Sequence, residues 1–144
     1  MTGKIFTLRK TLQYYLPVAL TLFMTVTIQR NVFTDGGYDS LYGLPLPYIS
    51  SALGYSFNYQ VYILAMIFNL LFYFGLTVLL FAGLTKLGLN LKTHWVFLTI
   101  GILVTVFWIL TFYAVTIDSN FHFLNDTDYK TTAMKLVLQL FRFG

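Results

Sequence analysis

Cysteine is absent from the 144 residues, which excludes disulfides, a thiolate metal site and a cysteine nucleophile. Charge is scarce as well: charged residues make up 10% of the chain, against about 25% in an ordinary soluble domain. Too few charges remain to solvate a globular surface. The acids are five aspartates, Asp35, Asp39, Asp118, Asp126 and Asp128, with no glutamate. The long apolar runs contain no charge in their interiors, and proton-coupled transport normally needs one there. Neither a Gly-rich phosphate loop nor a nucleophile elbow occurs. These absences point to a chain with no catalytic residues, no metal and no cofactor. The net charge of +4 is small and gives no ground for nucleic-acid binding.

What is present is apolar and aromatic. Hydrophobic residues reach 58%, with 15 Phe and 11 Tyr, a composition suited to hydrocarbon and to the interfacial belts where rings settle. Three runs stand out, at about 11–28, 59–84 and 95–117. A spanning helix needs about 20 apolar residues, and backbone satisfaction in lipid favours helices for runs this continuous. The expected fold class is therefore all-α integral membrane, a single membrane domain of 1–144 with three transmembrane helices. Pro17 should kink the first or mark a ragged start. Lys4, Arg9 and Lys10 ahead of an apolar core also suit a signal peptide, but Val26 to Gln29 supply no small-residue cleavage site. An uncleaved anchor is expected.

Lys and Arg set the orientation. Lys4, Arg9 and Lys10 precede the first run, and Lys86 and Lys92 lie between the second and third, where Gly88 and Asn90 supply the turn. The expected placement is a multi-pass protein of the cell inner membrane, amino terminus cytoplasmic and carboxyl terminus external or periplasmic. In the tail, Lys135, Gln139 and Arg142 fall on one helical face, and Met134, Val137, Leu138 and Phe141 on another. That period predicts an interfacial amphipathic helix over 128–143.

The outer loop, 31–58, has its own chemistry. Pro45 and Pro47 push the residues before them toward extended backbone, Gly43 permits a sharp turn, and Tyr42 and Tyr48 flank the strip. These five residues form the candidate outer interaction loop, an ordered cap on the helix ends. Asn69 is the strong polar residue at mid-depth, the candidate intramembrane contact, whose plainer role is an interhelical hydrogen bond. Gly101 and Thr105 make a small-residue pair for which Gly75 and Ala82 are candidate neighbours. Thr99, Thr105, Thr111 and Thr116 are expected to bond their own backbone carbonyls. His122, near Asp118, Asp126 and Asp128, reads as part of a solvated loop in preference to a metal site.

Gly43-Leu-Pro-Leu-Pro-Tyr48, followed by Asn69-Leu-Leu-Phe-Tyr73, resembles small uncharacterised bacterial multi-pass membrane proteins with a Gly-x-Pro-x-Pro-aromatic loop before an Asn-containing helix. The resemblance covers the loop and the second run and implies no function. Composition and pattern together lead to a non-catalytic accessory or scaffold subunit of a larger membrane complex, with the lipid bilayer and membrane protein subunits as partners. The alternatives are a small-molecule or lipid-binding membrane protein, and an inner-membrane immunity or regulatory protein.

Overall fold

The computed structural model describes residues 7–34, 37–51, 59–88, 94–117, 119–123 and 130–138. It corrects the all-α reading. A six-stranded mixed sheet accompanies the helices, and two helices among the described residues are long and apolar enough to cross a membrane.

The amino-terminal helical segment comprises α1 (Leu8–Lys10), a π-helical turn (Thr11–Tyr15) and α2 (Leu16–Thr25). Thr7 caps its start, its Oγ1 accepting from the Lys10 N–H at 3.3 Å. Pro17 explains the π turn. Proline has no N–H to offer the Gln13 carbonyl one turn back, and the ladder widens there, with the Leu16 N–H donating to the Thr11 carbonyl. The expected first span of 11–28 is thus not one regular helix. It ends at Thr25 because Val26, Thr27 and Ile28, a β-branched run stiff at χ1, open strand β1 (Val26–Thr34).

From β1 the chain makes an antiparallel meander through β2 (Gly37–Tyr42), β3 (Ile49–Ser51) and β4 (Tyr59–Tyr62). Of the outer loop, residues 31–34, 37–42 and 49–51 are strand, and residues 35, 36 and 52–58 lie outside the described residues. The second expected span also starts late, since its first four residues are β4. Helix α3 (Ile63–Lys86) follows directly, then α4 (Trp95–Thr116). Gly88, at φ +94°, makes the expected turn after α3, while Asn90 lies outside the described residues. Beyond α4, β5 (Asn120–His122) pairs parallel with β4.

The tail is the largest correction. Lys130–Leu138 is β6, antiparallel to β1 with Gln29 opposite Lys135 and Ile28 opposite Leu136. Its apolar spacing fits a helical face, but β1 offers an unpaired edge along its whole length. Satisfying those backbone groups, with Thr131, Thr132 and Val137 favouring extended backbone, outweighs the periodicity. Residues 128, 129 and 139–143 of the expected helix lie outside the described residues.

Packing centres on the amino-terminal segment, which contacts both α3 and α4. Gly101 of α4 sits against the π turn: a Cβ there would lie 2.6 Å from the Leu12 carbonyl oxygen and 2.9 Å from that of Gln13. The small-residue pair on α4 thus serves the first helical segment and not α3, where Gly75 has open space around it. Trp108 Nε1 donates to Thr21 Oγ1 at 2.9 Å, a second tie between these elements. Thr99, Thr105, Thr111 and Thr116 each donate to the carbonyl one turn back, at 2.8–3.1 Å.

Candidate functional site

The proline strip and Asn69 meet. β2 ends at Tyr42, the chain reverses over Gly43–Pro47, and Tyr48 leads into β3. The Tyr48 N–H donates to the Tyr42 carbonyl at 2.9 Å, closing the turn, and the Gly43 N–H donates to the Ile28 carbonyl at 3.1 Å, tying it to β1. Gly43 has φ +149°, and a Cβ there would lie 2.9 Å from Pro47 Cα and from Tyr48 Cδ1 and would collide with the Leu46 carbonyl oxygen. Glycine is required on both counts. The Leu44–Pro45 peptide bond is cis.

Asn69, on the second turn of α3, reaches this strip. Its Oδ1 accepts from the Leu46 N–H at 3.0 Å and its Nδ2 donates to the Leu46 carbonyl at 2.6 Å. The side-chain amide thus pairs with one residue's backbone as a neighbouring strand would. Asn69 is completely buried, and both polar atoms are used. It is a clamp between helix and turn, which corrects the reading of an interhelical contact.

Tyr73 and Thr77 follow at i+4 and i+8, hence on the same helix face, and both are buried. The Tyr73 hydroxyl donates to the Val26 carbonyl, where α2 gives way to β1. Thr77 Oγ1 donates to the Tyr73 carbonyl at 2.8 Å. One stripe of α3 therefore holds both the first strand and the turn. Phe23 stacks on Tyr48 at a centroid distance of 4.9 Å and meets Tyr73 edge-on at 6.2 Å. These three rings form one of two buried clusters among the described residues, the other being Val32, Leu41 and Tyr62, and burial pushes the Tyr48 phenol well above its ordinary pKa, with Tyr73 adding to the rise.

Arg30 holds the turn from the other side. Its Nη2 donates to the Pro45 carbonyl at 2.7 Å, and its Nε is buried with no hydrogen-bond partner. Sequence analysis assigns Arg30 no role. It also passed over Tyr73, although the Asn69-x-x-x-Tyr73-x-x-x-Thr77 spacing was there to be read as one polar helix face.

Of the five loop residues, Gly43, Pro45 and Tyr48 take part in these contacts. Tyr42 supplies its carbonyl to the turn, and Pro47 stands beside Gly43. The arrangement makes a stiff corner between sheet and helix. His122 is an exposed β5 residue with its ring 6.1 Å from that of Tyr62, which replaces the loop expected there. Asp118, Asp126 and Asp128 lie outside the described residues. Among the described residues no three His, Cys, Asp or Glu side chains gather as a metal site would need. Compared with protein-family models, curated proteins and solved structures, the chain matches none.

Proposed function

We propose that the chain is a non-catalytic accessory or scaffold subunit of a membrane complex, presenting its sheet as a fixed platform beside the bilayer. The observation that carries this reading is the Asn69–Leu46 clamp. The strongest polar group of α3 is spent on holding the sheet to the helix, so it serves shape and leaves nothing over for a substrate.

The membrane placement rests on α3 and α4. Both have a mean hydropathy of 2.3, yet only 17% and 11% of their most apolar stretches are buried within the protein. A core helix of a soluble protein would be covered by its own chain. Leu71, Leu79, Leu103 and Leu110 are each 60–71% exposed, a surface that needs lipid or a partner. Crossing as a hairpin, the two helices put Lys86 at the end away from the sheet. Arg9 lies at that end too, its guanidinium 4.8 Å from the Trp95 ring centroid. By the positive-inside rule that end is cytoplasmic and the sheet external. Trp95 suits the headgroup level, where indoles settle.

Lipid supplies no hydrophobic drive between helices, so α3 and α4 hold to the amino-terminal segment by close packing and polar ties alone. A partner subunit adds packing against their free flanks. Extraction in mild detergent followed by native electrophoresis tests this: co-migration with a larger assembly is expected, and a lone small species contradicts it.

A further inference from the structure

Strand β1 leaves α2 well below the outer end of α3. The Tyr73 hydroxyl donates to the Val26 carbonyl, and Tyr73 stands ten residues after Ile63, where α3 begins. That is about 15 Å down the helix. From there β1 climbs, and Val32 packs with Tyr62 and Ala65 at the head of α3. Over this stretch α3 bears Leu64, Ile67 and Phe68, each about half exposed. The sheet is external for the most part, but its β1 corner dips to the depth of a lipid-facing helix.

β6 descends beside it. Leu136, Val137 and Leu138 stand opposite Ile28, Thr27 and Val26, and one rung higher Lys135 stands opposite Gln29. Below the Gln29–Lys135 rung neither strand carries a charged residue, Asn or Gln; at it, both turn polar. Two strands from distant parts of the chain change character at one level. A water–hydrocarbon boundary imposes such a change.

β6 is also the last strand of the sheet, and among the described elements it meets β1 and little else. An edge strand in an antiparallel ladder turns the N–H and C=O of every second residue away from its neighbour. Water satisfies such groups at the opposite edge, where β5 is short and exposed. Hydrocarbon cannot, and open sheet edges do not occur within it. Lipid tails offer no donor or acceptor. A second copy of this chain does not fit either. Two β6 strands related by a two-fold axis pair antiparallel about an axis perpendicular to the strand, whereas copies inserted with one topology share an axis along the bilayer normal. A strand that climbs with α3 cannot meet both conditions.

We propose that the lower end of β6 takes an added strand from a different membrane protein, whose backbone completes the sheet beside Leu136–Leu138. Its residues at that level are apolar. The proposal rests on the bilayer placement argued above and deepens the scaffold reading, naming the surface that grips the partner and the form the partner takes there.

The test is photo-crosslinking along β6 of the full chain in its source membrane, with a photoreactive residue in turn at Met134, Leu136 and Leu138. Strand addition predicts adducts at all three positions to one segment of one partner, stepping along it in register as peptide mass spectrometry reads them. Adducts to lipid alone, to residues 139–144 of the same chain or to a second copy overturn the proposal, as do partner adducts without that stepping. Depth is read separately with single cysteines and a membrane-impermeant maleimide. Asn31→Cys should label in intact membranes, and Leu138→Cys only after solubilisation in detergent. Full labelling of Leu138→Cys in intact membranes refutes the depth assignment and the proposal with it. A partner captured from Leu79 but not from β6 refutes the added strand and leaves the scaffold reading standing, whereas capture from neither refutes both.

Discussion

Asn69 and Leu46, 23 residues apart in sequence, form a closed pair in which the side-chain amide both accepts from and donates to the backbone of one residue. The pair joins α3, one of the two long apolar helices, to the turn that leads from β2 into β3. Replacing Asn69 with Leu takes the partner from a part-buried N–H and a part-buried carbonyl, at up to about 1–3 kcal/mol for each group. Amide exchange at Leu46 should quicken and the thermal midpoint fall. Asn69→Asp keeps both bonds only as the protonated acid, since a carboxylate would face the Leu46 carbonyl acceptor to acceptor in a buried site. Burial raises its pKa, so its stability should be highest at acidic pH and fall as pH rises through that raised value.

Gly43→Ala should disrupt the turn, because its φ of +149° and its contacts with Pro47 and Tyr48 leave no room for a Cβ. Limited proteolysis should then cut between Tyr42 and Tyr48, where the wild-type chain resists. Gly75→Ala, with open space around it, should change stability by no more than about 0.5 kcal/mol.

Much of this corner was legible in the sequence as separate parts. The Gly43–Tyr48 strip and Asn69 could each be singled out, from proline stiffness and from lone polarity in an apolar run. Their meeting could not, because a hydrogen bond across 23 residues leaves no periodic trace. The helical cores of the second and third runs were legible for the opposite reason, since long uncharged stretches fit little else. The sheet was missed because its strands hide in the ends of apolar runs: Val26–Ile28 and Tyr59–Tyr62 continue the hydrophobicity of α2 and α3. β6 was missed because Lys130–Leu138 carries a helical spacing that gives way to the edge of β1, a tertiary demand invisible in any local window.

The β1–β6 pairing can be checked covalently. Cysteines placed at Ile28 and Leu136, which stand opposite each other, should form a disulfide under mild oxidation, against a background with no native cysteine. A cysteine pair at Ile28 and Lys130 should not. Efficient bridging of the second pair and not the first would show a different register or a helical tail.

At the other joint, Gly101→Val should push α4 away from the π turn, since even a Cβ would come within 2.6 Å of the Leu12 carbonyl oxygen. With Trp95 replaced by Phe, Trp108 becomes the lone tryptophan. Its emission should shift as the bond to Thr21 breaks, and Thr21→Val should reproduce the shift with less loss of stability.

Photo-crosslinking in the intact source membrane tests the scaffold account most directly. A photoreactive amino acid at Asn31, exposed on the sheet, and another at Leu79, 71% exposed on α3, sample the platform and the apolar flank. The account predicts that both positions capture the same partner protein, and that Asn69→Leu weakens capture at Asn31 more than at Leu79 by freeing the sheet from the helix. Adducts to lipid alone at Leu79, with no protein adduct at Asn31, would contradict it.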